Sequence, residues 1–312
     1  MAAERGGTVA ALPDGHASRE ETMRLCRYGD DRLGLVREGL VHDLTDLQTM
    51  IRAAAPYTVK GDPVIEALPA WRARFEDAAD RVPGIAVDTV RLLSPVARPS
   101  KVMAAPTNYA THIAEMAPAR VAGGSKHSAD IGRDGIFLKS NSAVVGPSEG
   151  VPIRFPDRRT DHELELVFVI GRQGTDIPAD RALEHVAGYC LGLDMVIRGP
   201  EDRSFRKSCD GYAVLGPWMV TADEVSDPDD VALALSVNGE PRQQANTRDL
   251  VYKVRRLIEF ASSFYTLYPG DVFYTGTPHG VGPVRPGDTI TVESPSIGSM
   301  RVPVRAHVPG QV

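Results

Sequence analysis

The chain has few cysteines and no long apolar run, and each of these absences limits where in the cell the protein is expected. Its three cysteines, Cys26, Cys190 and Cys209, are far apart and form neither a Cys-x-x-Cys pair nor a zinc-ligand spacing. We therefore expect reduced thiols. No apolar run approaches the ~18 residues of a membrane span, and the N-terminus lacks the charged-then-apolar layout of a signal peptide. These absences predict a cytoplasmic protein that does not cross a membrane.

Basic residues are also fewer than acidic ones. The 312 residues carry 35 Lys and Arg against 41 Asp and Glu, which gives a net charge of −6. The composition therefore shows no basic footprint for nucleic acid or for an anionic membrane surface. Neither a Walker phosphate-binding loop nor a His-Glu-x-x-His motif occurs, which argues against phosphoryl transfer. A small molecule is the expected partner.

Three segments of the chain differ in composition and periodicity. Residues 1–22 are rich in Gly, Ala and charge, and they are predicted to be a disordered extension. Residues 23–95 are predicted to form a small α/β N-terminal domain, whereas residues 96–312 alternate short strands with Gly and Pro turns. The predicted fold is therefore α+β and rich in β-structure.

Individual elements follow from the spacing of apolar residues. Strands are predicted at residues 23–28, 33–36, 40–43, 135–138, 163–170, 231–237, 271–275 and 289–292. Helices are predicted at residues 46–55, 65–79, 181–186 and 250–265. Most helical residues are thus expected before the boundary near Pro95 or close to the C-terminal third.

Three carboxylates occupy positions where apolar residues belong. Glu163 and Glu165 begin one apolar strand pattern, and Asp194 interrupts a later one. A strand places residues i and i+2 on one face, and a buried carboxylate is costly unless a cation or strong donors neutralise it. Oxygen ligands of this kind suit Mg²⁺, Mn²⁺ or Ca²⁺. The alternative places the glutamates on the solvent face of an edge strand and Asp194 at a turn.

Two candidate catalytic groups precede these acids. His112 and Glu115 are three residues apart, so a helical turn puts them on one face, where the carboxylate raises the basicity of the imidazole. This is how a general base for water is made, although a solvated polar face is the alternative. Lys139 ends an apolar strand pattern and is a candidate for oxyanion stabilisation, or else a lysine that extends into solvent.

A glycine-rich loop follows a predicted strand near the C-terminus. Its sequence is Tyr274-Thr275-Gly276-Thr277-Pro278-His279-Gly280-Val281-Gly282. Prolines rather than a helix follow it, so it does not match the dinucleotide-binding fingerprint. The loop either brings Thr277 and backbone amides close to a substrate or forms an ordinary tight turn.

Taken in their order along the chain, these motifs resemble the fumarylacetoacetate hydrolase family. The resemblance runs from about residue 101 to residue 304 and rests on Asn108-Tyr109 with His112 and Glu115, Phe137-Leu138-Lys139 with Ser142-Ala143, Glu163-x-Glu165, Asp194, Leu215-Gly216-Pro217-Trp218, Val237-Asn238-Gly239-Glu240, Tyr268-Pro269-Gly270-Asp271-Val272 and Thr275-Gly276-Thr277-Pro278-x-Gly280-Val281-Gly282. It implies a mixed β-roll catalytic domain, a homodimer, and a divalent metal held by Glu163, Glu165 and Asp194. Mg²⁺ is expected first, with Mn²⁺ or Ca²⁺ as alternatives.

The resemblance also implies residue roles. His112 and Glu115 match the family's water-activating pair, and Lys139 matches its charge-stabilising residue. The expected substrate contacts are Arg198, Glu201, Lys207 and Thr277. The segment after the aspartate departs from the family, because Gly199 replaces an acid and Glu201 stands at the position of an amide.

The chemistry implied by the resemblance is that of 2-oxo acids, as in the degradation of aromatic compounds. The expected reaction is metal-dependent hydrolysis of a C–C bond in an acylpyruvate-like 2,4-dioxo acid through a metal-stabilised enolate. Isomerisation or tautomerisation of an unsaturated 2-oxo dioic acid and decarboxylation of oxaloacetate are alternatives at the same site. A hypothesis from another class is a non-catalytic 2-oxo acid binding protein with a structural cation.

Overall fold

A computed structural model describes residues 22–56, 60–121 and 130–309. Nearly all of the predicted extension at residues 1–22 lies outside the described residues. The strands are β1 Arg24–Tyr28, β2 Arg32–Arg37, β3 Leu40–Asp43, β4 Gly84–Ala86, β5 Leu92–Leu93, β6 Val102–Ala104, β7 Phe137–Lys139, β8 Val144–Val145, β9 Val151–Ile153, β10 Thr160–His162, β11 Leu164–Ile170, β12 Val186–Asp194, β13 Val196–Ile197, β14 Ala213–Thr221, β15 Ala232–Val237, β16 Glu240–Asn246, β17 Val272–Tyr274, β18 Gly282–Pro283, β19 Thr289–Ser294 and β20 Gly298–Ala306. The helices are α1 Thr45–Ala54, α2 Pro63–Ala79, α3 Ala110–Val121, α4 Ile131–Asp134, α5 Arg203–Lys207 and α6 Val254–Ser262.

One large mixed sheet forms the centre of the molecule. Its strands lie in the order β4-β3-β2-β1-β14-β12-β11-β17-β6-β7, with β5 beside β1 and β8 beside β14. Most neighbours are antiparallel, whereas β6 runs parallel to β17 and β8 parallel to β14. The β-rich α+β fold predicted from the sequence is confirmed. Because β1 pairs with β14, this sheet continues across the boundary predicted near Pro95, and that boundary stays a prediction.

Two smaller sheets complete the fold. One has the strand order β16-β15-β19-β20-β9, and the other has the order β13-β10-β18. The small sheet lies at one end of the central strands, because β10 leads into β11 and β13 follows β12. Glu163 lies between β10 and β11, and Asp194 is the last residue of β12, so both are at this end of the central strands.

Strand β11 is buried on both faces, which explains its continuous apolar sequence. Leu166 and Phe168 pack in one apolar cluster, whereas Val167 and Val169 pack in a second cluster on the opposite face. This alternation places Glu165 on the face of Val167. The carboxylate therefore lies inside the protein rather than on an exposed sheet edge.

Several predicted elements are shorter or displaced in the structure. The helix predicted at 250–265 is confined to Val254–Ser262, because the chain at Leu250 makes an isolated bridge with Tyr109. The segment predicted as a helix at 181–186 belongs to a 3-10 turn at Ala179–His185. In contrast, the helix predicted at 65–79 starts earlier, because Asp62 caps it by accepting a hydrogen bond from the Val64 N–H.

No helix in the described residues is long and apolar enough to cross a membrane.

Candidate active site

The three acids singled out in the sequence meet in the interior. Oxygens of Glu163, Glu165 and Asp194 all lie within 4.8 Å of one another, and all three residues are buried. Strand β11 begins at Leu164, one residue later than predicted, so Glu163 lies between β10 and β11. The Asp194 N–H donates to the Glu163 carbonyl at 2.9 Å, and this bond holds the end of β12 beside the start of β11. The solvent-facing alternative is therefore wrong.

Two buried lysines neutralise part of this carboxylate cluster. The Lys207 ammonium lies 2.5 Å from an oxygen of Glu163 and 2.5 Å from an oxygen of Asp194. The Lys139 ammonium contacts the other Asp194 oxygen and donates to the Tyr212 carbonyl at 2.8 Å. Burial alone would raise the pKa of Asp194, but the two lysines lower it below its usual value. Lys139 thus holds Asp194 in place and keeps one N–H for another acceptor.

Glu165 is the carboxylate with the least compensation. It is 1 % exposed, and one of its oxygens accepts a hydrogen bond from the Gly276 N–H at 2.6 Å. Burial raises the pKa of Glu165 well above its usual range, and the nearby Asp194 and Glu163 carboxylates raise it further, while Lys207 offsets only part of this. Three converging hard oxygens with incomplete neutralisation fit a divalent cation such as Mg²⁺ or Mn²⁺.

His112 and Glu115 form the hydrogen-bonded pair expected from their spacing. Both lie on α3, and His112 Nδ1 is 2.9 Å from a Glu115 carboxylate oxygen. A carboxylate only accepts, so Nδ1 donates this hydrogen bond, and in the neutral imidazole the lone pair is then on Nε2. His112 is buried, whereas the Glu115 side chain is 40 % exposed. The pair therefore presents a basic nitrogen from a largely buried ring.

The glycine-rich loop connects this pair to the carboxylate cluster. The Gly276 N–H donates to Glu165, and the Gly280 N–H donates to the second Glu115 oxygen at 3.3 Å. Four residues of chain span at most about 14 Å, so the two groups face one region. Gly280 has a φ of +90°, and a Cβ at this position would lie 2.1 Å from the Arg242 carbonyl oxygen. Only glycine fits the loop here.

Gln243 was missed by the sequence reasoning. It is buried on β16, and its Oε1 accepts from the Leu164 N–H at 2.9 Å and from His162 Nδ1 at 3.1 Å. Its Nε2 donates to Thr277 Oγ1 at 2.9 Å and to the Pro278 carbonyl at 3.0 Å. One amide therefore ties the strand between the two glutamates to the glycine-rich loop. A buried glutamine within a polar strand sequence, Glu240–Asn246, gives no signal that separates it from its exposed neighbours.

The predicted substrate contacts divide into two groups. Arg198 donates to Asp161 at 2.7 Å and lies 3.5 Å from Glu163, so it joins the cluster together with Lys207. Thr277 lies on the loop. Glu201, in contrast, accepts from Arg158 at 2.9 and 2.8 Å through both carboxylate oxygens. Among the described residues, its side chain therefore contacts Arg158 and not the carboxylate cluster.

The unusual Gly199 has a steric reason. A Cβ built there would lie 2.1 Å from an Arg158 guanidinium nitrogen and 2.4 Å from a Glu201 oxygen. Glycine at this position therefore leaves room for the bidentate pair. Gly199 and Glu201, the two departures from the family pattern, are thus both explained by the ion pair between Glu201 and Arg158.

The sequence contains the Gly-x-Ser-x-Gly spacing of serine hydrolases, but the structure does not give this segment the shape of a nucleophile elbow. Gly146-Pro147-Ser148-Glu149-Gly150 has the Gly-x-Ser-x-Gly spacing of a serine nucleophile. In the structure it forms a 3-10 turn at Pro147–Glu149, and Ser148 Oγ accepts from the Leu92 N–H at 2.9 Å. No strand-to-helix elbow exposes this serine.

A buried cluster of three acids, flanked by two lysines and connected by one loop to a His–Glu pair, is the arrangement of a metal-dependent enzyme site. Residues 101–305 match the family described as fumarylacetoacetate (FAA) hydrolase, C-terminal. The chain belongs to this family, as its sequence motifs predicted.

Named relatives agree with this assignment. Maleylpyruvate hydrolase of Aquipseudomonas alcaligenes is 48 % identical over 287 residues, which cover 91 % of this chain and all of the relative. The crystal structure of maleylpyruvate hydrolase from Sphingobium sp. SYK-6 with manganese(II) and pyruvate superimposes with a TM-score of 0.76 at 36 % identity, over 92 % of this chain and all of that one. Mitochondrial oxaloacetate tautomerase fahd2 of Xenopus laevis is 36 % identical over 69 % of this chain and 68 % of the relative. The chain is therefore an enzyme.

Proposed function

We propose that the protein hydrolyses the C3–C4 bond of an acylpyruvate, a 2,4-dioxo acid, to give pyruvate and a carboxylic acid. The hydroxyl of water adds to the C4 carbonyl, and the C3–C4 bond then breaks. Its electron pair stays on C3 as the enolate of pyruvate, which takes up one proton. The relative with 48 % identity over its whole length carries the name maleylpyruvate hydrolase, and maleylpyruvate is thus the first substrate to test.

The observation that carries this proposal is the hydrogen-bonded His112–Glu115 pair. The attack on C4 needs a base that removes a proton from water, and His112 Nε2 supplies it while Glu115 fixes the tautomer at 2.9 Å from Nδ1. The carboxylate also stabilises the imidazolium that forms. His112 then returns the proton to the enolate carbon, so the pair ends the cycle as it began.

The carboxylate cluster and its cations bind the pyruvate end of the substrate in this proposal. When bound by Glu163, Glu165 and Asp194, a divalent cation supplies a Lewis acid that polarises the 2-oxo carbonyl and stabilises the enolate charge. Lys207 attracts the substrate carboxylate, as does the guanidinium of Arg198. Lys139 has one N–H beyond its bonds to Asp194 and Tyr212, and this donor is assigned to the oxyanion that develops at C4.

Oxaloacetate tautomerisation is the second candidate, because relatives with that name match at 36 % identity over 231 residues. Isomerisation of an unsaturated 2-oxo dioic acid and decarboxylation of oxaloacetate use the same electron sink. None of these reactions consumes an attacking water. Tautomerisation and isomerisation also need a general base, which the His112–Glu115 pair would supply, so hydrolysis is favoured by the 48 % identity to maleylpyruvate hydrolase over the whole length of that relative.

The test compares substrates under controlled metal content. The purified chain is stripped with EDTA and assayed with maleylpyruvate, acetylpyruvate and oxaloacetate, with Mg²⁺ or Mn²⁺ added in turn. Hydrolysis predicts equal release of pyruvate and acid from an acylpyruvate, which stops on metal removal and returns with metal. Interconversion of enol and keto oxaloacetate without release of pyruvate from any acylpyruvate would favour the tautomerase instead.

The identity of the metal, the homodimer and the cytoplasmic location stay predictions. The same titration ranks Mg²⁺ against Mn²⁺ by the concentration that restores half of the activity. Sedimentation velocity of the full chain measures its mass against the 33.7 kDa of one copy.

A further inference from the structure

Helix α5 carries two cations on the same side. Arg203 begins the helix and Lys207 ends it, and residues four apart lie on one helix face about 5 to 6 Å from each other. The Phe137 ring lies against both: its centroid is 5.3 Å from the Arg203 guanidinium carbon and 5.4 Å from Lys207 Nζ. Since Lys207 contacts the carboxylate cluster, Arg203 lies one helical turn away from that cluster along the same face.

Four other arginines between residues 154 and 206 are engaged with protein groups. Their partners are Asp210 for Arg154, Glu201 for Arg158, Asp161 for Arg198, and the carbonyls of Glu201 and Ile197 for Arg206. Among the side chains that the structure describes, in contrast, the Arg203 guanidinium has no hydrogen bond or ion pair, and it contacts the Phe137 ring. It is therefore a half-buried cation whose donors are available.

Such an arginine is costly to maintain without an anion. Burial lowers the pKa of Arg203 below its usual value, and the carboxylates of Asp134, Glu163 and Asp194 offset only part of this effect. A guanidinium presents a planar pair of donors that matches a carboxylate. The arrangement suits an anionic ligand group that arrives from solution and is partly desolvated there.

We infer that Arg203 binds the distal carboxylate of the substrate, so that the enzyme selects acylpyruvates whose acyl chain itself ends in a carboxylate. The inference rests on the proposed function. The pyruvate end of such a substrate lies at the carboxylate cluster beside Lys207, its middle carbons lie along the Phe137 ring, and its far carboxylate meets Arg203. Arg203 is thus a specificity-determining residue that the sequence patterns did not reveal.

The test is the ratio of kcat/KM for a dicarboxylate and a monocarboxylate substrate, maleylpyruvate and acetylpyruvate. Arg203→Gln should lower kcat/KM for maleylpyruvate by about 10- to 100-fold, the usual loss for a charged hydrogen bond, and should lower kcat/KM for acetylpyruvate by much less. Arg203→Lys should fall between, because a lysine restores the charge but not the paired donors. Arg181→Gln is the matched control, since Arg181 is an exposed arginine paired with Glu184 at 3.0 Å on a remote turn.

A second readout separates recognition from folding. Maleate, the acid that maleylpyruvate would release, should inhibit hydrolysis of acetylpyruvate by the wild type. In Arg203→Gln the inhibition constant of maleate should rise by about 10-fold or more. Equal losses on both substrates, or an unchanged ratio, would overturn the inference while the proposed function stands. If the wild type releases pyruvate from neither substrate, the proposed function itself fails.

Discussion

Replacing Gln243 with leucine should loosen the connection between the carboxylate cluster and the glycine-rich loop. Gln243 is 3 % exposed, and it accepts from the Leu164 N–H and donates to the Pro278 carbonyl at 2.9 and 3.0 Å. Leucine has a similar length but offers neither donor nor acceptor. The substitution therefore leaves an N–H beside both glutamates and a carbonyl of the loop without partners.

The expected loss follows from those two backbone groups. A buried polar group without its partner costs about 1 to 3 kcal/mol, and some relaxation of the loop reduces the sum, so we expect about 2 to 4 kcal/mol. For a chain of this size the loss corresponds to a fall in Tm of roughly 3 to 6 °C. The loop also holds Glu115 through Gly280, and a displacement near 1 Å can reduce turnover about 10²-fold. We expect kcat to fall by about 10- to 100-fold.

Thermal unfolding and pyruvate release from acetylpyruvate, both with saturating Mn²⁺, measure the two effects. Activity is taken well below the Tm of the variant, so that unfolded protein does not contribute. Gln244→Leu is the matched control, because Gln244 is the next residue on β16 and is exposed. A Gln243→Leu protein with the Tm and kcat of the wild type would refute the reasoning. A lower Tm with intact kcat would show that the loop keeps its position without the amide.

Three further predictions follow from other contacts. Glu115→Ala should lower kcat about 10² to 10³-fold with little change in Tm, because this side chain is 40 % exposed; stopped-flow or steady-state pyruvate release measures the loss. Asp194→Asn removes the partner of two buried lysines, so it should cost about 3 to 5 kcal/mol of folding stability and abolish the metal-dependent rise in Tm seen by thermal shift with and without EDTA. Gly280→Ala should lower kcat while keeping that metal-dependent rise, because its Cβ would lie 2.1 Å from the Arg242 carbonyl and displace only the loop.

Each of these has a control within the chain and an outcome that would contradict it. Gly287 has a φ of +98° with open space around its Cβ, so Gly287→Ala reproduces the backbone strain of Gly280→Ala without the clash, and equal kinetic losses in both would discount the loop contact. Glu293→Ala, at an exposed glutamate of β19, controls for lost charge, and wild-type turnover in Glu115→Ala would remove the His–Glu pair from the mechanism. An Asp194→Asn protein that is still stabilised by metal would mean that the cation binds elsewhere.

The parts of the site that sequence could predict are those whose chemistry conflicts with their surroundings. Glu165 and Asp194 interrupt apolar strands, and such conflicts are visible in the residue order alone. His112 and Glu115 are close in sequence, so a single helical turn brings them together. Their meeting with the carboxylates depends on the glycine-rich loop, whose contacts span more than a hundred residues of chain.

The parts that sequence could not predict depend on partners that are distant in the chain. Gln243 binds Leu164 and Thr277 from a strand of another sheet, and nothing in its neighbours distinguishes it from the exposed Gln244. Glu201 pairs through both of its oxygens with Arg158, over forty residues earlier, while its role as a substrate contact stays a prediction. Helix boundaries failed for a related reason, since the bridge from Leu250 to Tyr109 overrides local helix preference.

Two distances in the site are set by two different elements, the glycine-rich loop and the short helix α5. The loop fixes the distance between the base and the carboxylate cluster, because Gly276 and Gly280 donate to Glu165 and Glu115 respectively. In the proposed binding mode, helix α5 sets the distance between the cluster and the distal carboxylate of the substrate, because Lys207 and Arg203 are one turn apart on it. A substrate of the wrong length can satisfy one of these spacings but not both. We therefore expect catalysis on acylpyruvates and preference for a distal carboxylate to depend on different elements. The substitutions at Gln243 and Arg203 should separate the two: Gln243→Leu should lower turnover of every acylpyruvate, whereas Arg203→Gln should mainly change the ratio of kcat/KM between them.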